Sequence, residues 1–96
     1  MRYQGHAKEW KYLFEIYAFG DHQGIKVRMP KRQVFPETVG GVVYLPHGLD
    51  RQQLIKSFLH ELQHALDYKE GLDLELTREE MEIRARRAEK RYELYQ

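Results

Sequence analysis

The stretch Asp50-Arg51-Gln52-Gln53-Leu54-Ile55-Lys56-Ser57-Phe58-Leu59-His60-Glu61-Leu62-Gln63-His64-Ala65-Leu66 reads as the first long helix of the chain. Asp50 followed three positions later by Gln53 has the form of a capping box, in which each side chain bonds the other residue's backbone N–H. Leu54, Ile55, Phe58, Leu59, Leu62, Ala65 and Leu66 recur at helical spacing and form one apolar face. With His60 at 0° and about 100° per residue, that face spans about 120° to 260°. His64 then falls at about 40° and Glu61 at about 100°. Two imidazoles one turn apart point the same way and can reach one ion, on the side of the helix turned from the core. A core histidine would take the opposite face. Glu61 stands beside the pair, placed to hydrogen-bond a water on the ion and accept its proton.

Outward from this helix the chain changes character near residue 50. All three prolines and six of the seven glycines lie before that point, among runs rich in aromatic and β-branched residues. Tyr12 to Phe19 reads as a strand, Gly20 to Gly24 as a turn, and Ile25 to Met29 as its antiparallel partner. The first eleven residues are open between helix and irregular structure. Thr38 to Leu45 reads as a further strand, in which Gly40-Gly41 either forms a bulge or lets another chain approach. After residue 50, Gly71 marks the end of the first helix. Thr77 and Glu80 form a second capping box, for a helix running to the C-terminus with Met81, Ala85, Ala88, Tyr92 and Tyr95 on one stripe and Ile83 behind it. Strands followed by helices predict an α+β domain. Its sheet, antiparallel or mixed and of about three strands, packs on the helix carrying the histidines and on a C-terminal backing helix.

The 96 residues allow one domain, covering 1–96. Sixteen Lys and Arg against 15 Asp and Glu leave a formal charge of +1, so no overall polycation draws in nucleic acid. Absence of cysteine removes disulfides, thiol chemistry and Cys-based zinc sites. The charged residues Lys8, Glu9, Lys11 and Glu15 interrupt any signal-like apolar run, and no stretch reaches the length of a membrane span. The expected location is cytoplasmic, with no membrane contact.

His60-Glu61-Leu62-Gln63-His64 is an H-E-x-x-H motif. The segment from Ser57 to Asp67 resembles the active-site helix of zincin metallopeptidases, and the layout from residue 38 to about 89 is similar to minimal single-domain gluzincins and to the metallopeptidase domains of phage-repressor-cleaving proteins. The resemblance implies Zn2+ bound by His60 and His64, with Glu61 as general base. It implies a third ligand within an E-x-x-A pattern on the next helix, matched by Glu82-Ile83-Arg84-Ala85, 18 residues beyond His64. It also implies a strand bordering the cleft, near residues 39 to 45, that pairs with extended peptide substrate. Glu79 or Glu80 compete for the third position. So does Glu70, at a metzincin-like spacing that would need a sharp turn at Asp67, costly for a non-glycine residue. Glu89 is a candidate acceptor for a ligand imidazole. Asp67 either orients a ligand imidazole or caps Tyr68 and Lys69. His47 reads as a solvated loop residue, and Tyr68, Tyr92 and Tyr95 are equivalent as oxyanion donors.

The expected activity is that of a zinc peptidase acting on extended protein or peptide chains. Two alternatives stay open: a weak or inactive metal-binding module working through a protein partner, and a nucleic-acid-associated protein using the basic face Arg84, Arg86, Arg87, Lys90 and Arg91. Oligomeric state is not legible.

Overall fold

The computed structural model describes residues 7–18 and 23–95. Three helices, α1 (Ala7–Ala18), α2 (Arg51–Lys69) and α3 (Arg78–Ala88), accompany strands β1 (Val27–Arg28), β2 (Glu37–Val39) and β3 (Val42–Tyr44). Short 3-10 segments cover Leu72–Leu74 and Glu89–Tyr95. The architecture is α+β, with a three-stranded mixed sheet in the order β1-β3-β2. None of the described helices is long and apolar enough to cross a membrane.

The strand expected from Tyr12 is a helix instead. Trp10, Leu13, Phe14 and Tyr17 recur at i, i+3, i+4 and i+7, and this spacing prevails over the β propensity of the individual residues. Leu13 is wholly buried, Trp10 and Tyr12 pack on the core around it, and the Trp10 and Phe14 rings lie 6.2 Å apart. The expected antiparallel pairing with Ile25–Met29 therefore does not form, while residues 1–6 and 19–22 lie outside the described residues. β1 instead runs parallel to β3, with Val27 opposite Val43.

Thr38 to Leu45 is likewise not one bulged strand. Gly40 and Gly41 both take positive φ, 57° and 80°, as a two-residue type I′ turn requires, and β2 folds back antiparallel on β3. Val27, Val43 and Thr38 lie in one row across the sheet. Val43, at the centre of that row, is wholly buried. The row ends at a polar residue, Thr38, whose hydroxyl meets α2.

α2 is the element the others pack around. Its capping box forms: Asp50 Oδ1 accepts from the Gln53 N–H at 2.8 Å, and Gln53 Oε1 from the Asp50 N–H at 3.4 Å. Leu54, Ile55, Phe58, Leu59, Leu62 and Ala65 join Leu13, Met29, Val43 and Leu45 in one core. Gly71, at φ 76°, takes the left-handed conformation just past the helix. The second capping box closes α3, and the Thr77 N–H followed by its hydroxyl holds the Glu80 carboxyl below its ordinary value. α3 stops at Ala88 and continues as 3-10 winding, so the expected single helix to the C-terminus is shorter. The change begins at Glu89, and Tyr92 beyond it packs on the core. Ala85 and Ala88 line the buried face as expected, while Ile83 is exposed.

Asp67, 1% exposed, joins α2 to α3. Its Oδ2 accepts from Arg84 Nε and its Oδ1 from Arg84 Nη2, both at 3.0 Å, and Oδ1 also accepts from Gln63 Nε2 at 2.8 Å. These contacts, and the charge of Asp67, raise the Arg84 guanidinium above its ordinary value. Asp67 therefore neither orients an imidazole nor caps Tyr68; it is the buried end of a fork-to-carboxylate pair. R84Q would leave that carboxylate with little beyond the Gln63 amide, so thermal unfolding should show a melting temperature lower by about 5 °C or more. An unchanged value would mean that the pair does not hold the two helices together.

Candidate metal centre

His60 and His64 stand one turn apart on α2, with ring centroids 5.0 Å apart and planes at 70°. α3 and the winding after it lie over this side of α2, so both imidazoles are largely covered, at 18% and 22% exposure. Glu82 reaches them from the second turn of α3. Its Oε1 lies 2.8 Å from His60 Nε2 and its Oε2 3.1 Å from His64 Nε2. On the other side of the ring, His60 Nδ1 lies 2.8 Å from Glu89 Oε2. With its Nδ1 hydrogen donated to Glu89, a neutral His60 presents Nε2 as a lone-pair donor, the arrangement a metal-binding imidazole needs.

The three residues form a group that could hold a metal ion. One ligand atom each from His60, His64 and Glu82 lie within 4.8 Å of one another, the only such group among the described residues. Ligand atoms about 2.0–2.1 Å from one tetrahedral zinc stand roughly 3.3 Å apart; the contacts of each imidazole with its own Glu82 oxygen, 2.8 and 3.1 Å, lie below that spacing, and the group as a whole spans up to 4.8 Å. Two imidazoles and a carboxylate are a borderline nitrogen and oxygen set suited to zinc.

The competing ligands fall away from this point. α2 runs on without a turn to Lys69, leaving Glu70 exposed at its C-cap and outside the group. Glu80 is engaged in the Thr77 box, and Glu79 is exposed in the first turn of α3.

Glu61 is buried, at 8% exposure, and stands outside the three-residue group. Its Oε1 accepts from the Thr38 hydroxyl at 2.8 Å, and that hydroxyl also approaches the Glu61 backbone carbonyl at 3.0 Å. Among the described residues Oε2 has no donor. A cleft of about 300 Å³ is lined by Glu61, His64, Glu82, Thr38, Gly41 and Tyr68, so Glu61 and two of the three candidate ligands border one space.

Other expectations resolve around the cleft. Tyr68 lines it, close enough to Gly41 that a Cβ there would meet its ring at 3.2 Å. Tyr92 is turned to the core with the Lys56 ammonium 5.4 Å from its ring centroid, and the Tyr95 side chain lies outside the described residues. His47 is half-buried rather than solvated, its Nε2 3.0 Å from the Met29 carbonyl oxygen. On the basic face, Arg84 is taken by Asp67, whereas Arg86, Arg87 and Lys90 are exposed. Sequence reasoning passed over Thr38. The one signal for it is a polar residue in the row with Val43, and that row exists only once the hairpin register is known.

Comparison with known proteins finds no match to this chain: no family model, no curated protein and no solved structure.

H60A and H64A should each lose stoichiometric zinc, measured by mass spectrometry of protein purified without chelator. E82A should weaken zinc binding markedly, E70A should not, and E89Q should weaken it by about 10- to 100-fold through the freed imidazole. Full occupancy in H60A and H64A would eliminate the site.

Proposed function

We propose that the protein is a zinc-dependent peptidase of the zincin kind, with His60, His64 and Glu82 holding the metal and Glu61 acting as general base. The observation that carries the reading is Glu61: a buried carboxylate with one oxygen held by Thr38 and the other without a donor among the described residues, lining the cleft that His64 and Glu82 also line. A carboxylate serving only the fold gains from having both oxygens satisfied, as Asp67 has. Zinc, when bound, supplies a Lewis acid that polarises a carbonyl and acidifies water.

The chain's own groups do the rest. Glu61 Oε2 takes the proton of the attacking water and returns it to the leaving amine, while Oε1 stays on the Thr38 hydroxyl. Glu89 fixes the His60 ring so that Nε2 faces Glu82 and His64. The expected substrate strand needs correction: β3 is central, with β1 and β2 on either side, so residues 42–44 cannot take another chain. The open edge beside the cleft is β2. Val43 gives its N–H to Lys26 at 2.9 Å, on the β1 side, so Thr38 opposite it turns its own N–H and C=O to the free edge. An extended peptide can add there by backbone hydrogen bonding.

E61Q keeps the shape of the side chain but cannot accept a proton. It should retain zinc and nearly the parent melting temperature while hydrolysis of a denatured protein pool falls at least about a hundredfold. Zinc content together with zinc-dependent folding, but without cleavage in the parent, would assign the chain to a non-catalytic metal-binding module. Loss of zinc in E61Q would show that Glu61 is itself a ligand.

A further inference from the structure

We infer that Thr38 is a positioning residue for Glu61 and joins the peptide-binding edge to the base; this rests on the peptidase reading. Thr38 uses its two sides differently. Its single O–H hydrogen is shared between two acceptors of one residue, Glu61 Oε1 at 2.8 Å and the Glu61 backbone carbonyl at 3.0 Å, with the carboxylate the shorter contact. Its backbone N–H and C=O point out of the β2 edge, away from β3. The Thr38 hydroxyl is the one hydrogen bond to the Glu61 carboxylate among the described residues.

A glutamate side chain has three rotatable bonds, and at 8% exposure water offers this one little alternative partner. The Thr38 contact therefore narrows the rotamers open to a side chain that lines the cleft. A misplacement of a reacting group by about 1 Å can cost about a hundredfold in rate. Because the same residue carries the outward backbone groups, a peptide strand docking on β2 bonds to the segment that orients the base. Occupancy of the edge and alignment of Glu61 are thus set by one residue. Thr38 itself touches no proton in transit: its hydroxyl occupies Oε1, and Oε2, without a donor among the described residues, is the oxygen assigned to the water.

The test pairs kinetics with a thermal cycle. On a peptide taken from a site cleaved in the denatured pool, T38V should keep its zinc content and a KM within about twofold of the parent, and lose about ten- to a hundredfold in kcat. T38S, which keeps the hydroxyl, should recover most of that loss. In the protein as purified, T38V should lower the melting temperature of the parent by at least about 4 °C more than it lowers that of E61A, because only the parent leaves a buried carboxylate without a donor. An unchanged kcat in T38V, a loss that T38S shares equally, or thermal effects that simply add would each overturn the inference. A parent that cleaves nothing overturns the peptidase reading, and with it the positioning role. The thermal cycle tells the two failures apart, since it reads the Thr38–Glu61 bond alone.

Discussion

Glu82 lies against two imidazoles that stand one helical turn apart, and this contact sets the requirements for the rest of the chain. It needs α2 to be regular through His60 and His64, and α3 to be held at a fixed distance across from it. The Asp50–Gln53 box and the apolar face on the core meet the first need. The Asp67–Arg84 pair meets the second, tying α3 to α2 just past Glu82, while the Thr77–Glu80 box fixes where α3 begins. Glu89, at the change from α to 3-10 winding, closes the arrangement by holding the far nitrogen of His60.

The buried polar and charged residues of the described chain are Glu61 and Asp67, and they are treated differently. Asp67 accepts two hydrogen bonds from a guanidinium and one from an amide, charge-assisted contacts that counter its desolvation. Among the described residues Glu61 has one neutral hydroxyl and an oxygen left over. Within one helix, six residues apart, one carboxylate is built as a strut and the other as a group with capacity to spare. The proposed assignment of Glu61 to proton transfer grows from that contrast as much as from its place in the H-E-x-x-H motif.

The small sheet matters less for its size than for which of its edges remains open. Three strands of two or three residues bury little on their own. The hairpin at Gly40-Gly41 places β2 on the outside and its Thr38 against α2. Had residues 38–45 formed one continuous strand, the sheet would present a different edge, and Thr38 would have no fixed relation to Glu61.

Local patterns were sufficient for α2, for the starts of α2 and α3, and for the grouping of His60 with His64. Each depends on spacing within one or two turns, which helical geometry converts directly into direction. Glu82 and Glu89 were legible as candidates, through a resemblance and a place on the next helix, but so were Glu70, Glu79 and Glu80. Choosing among them required the uninterrupted run of α2 to Lys69 and the packing of α3 over its histidine face. The first segment is ambiguous in sequence because aromatic and β-branched residues suit either element, and burial of Leu13 in the core beside α2 decides for the helix. The hairpin was missed because a glycine pair permits a bulge or a turn equally, and the choice rests on β3 being claimed on its other side by β1. Thr38 could not be found at all before that register existed: its meaning lies in a contact with a residue 23 positions away, and long-range pairing is information that no local pattern holds.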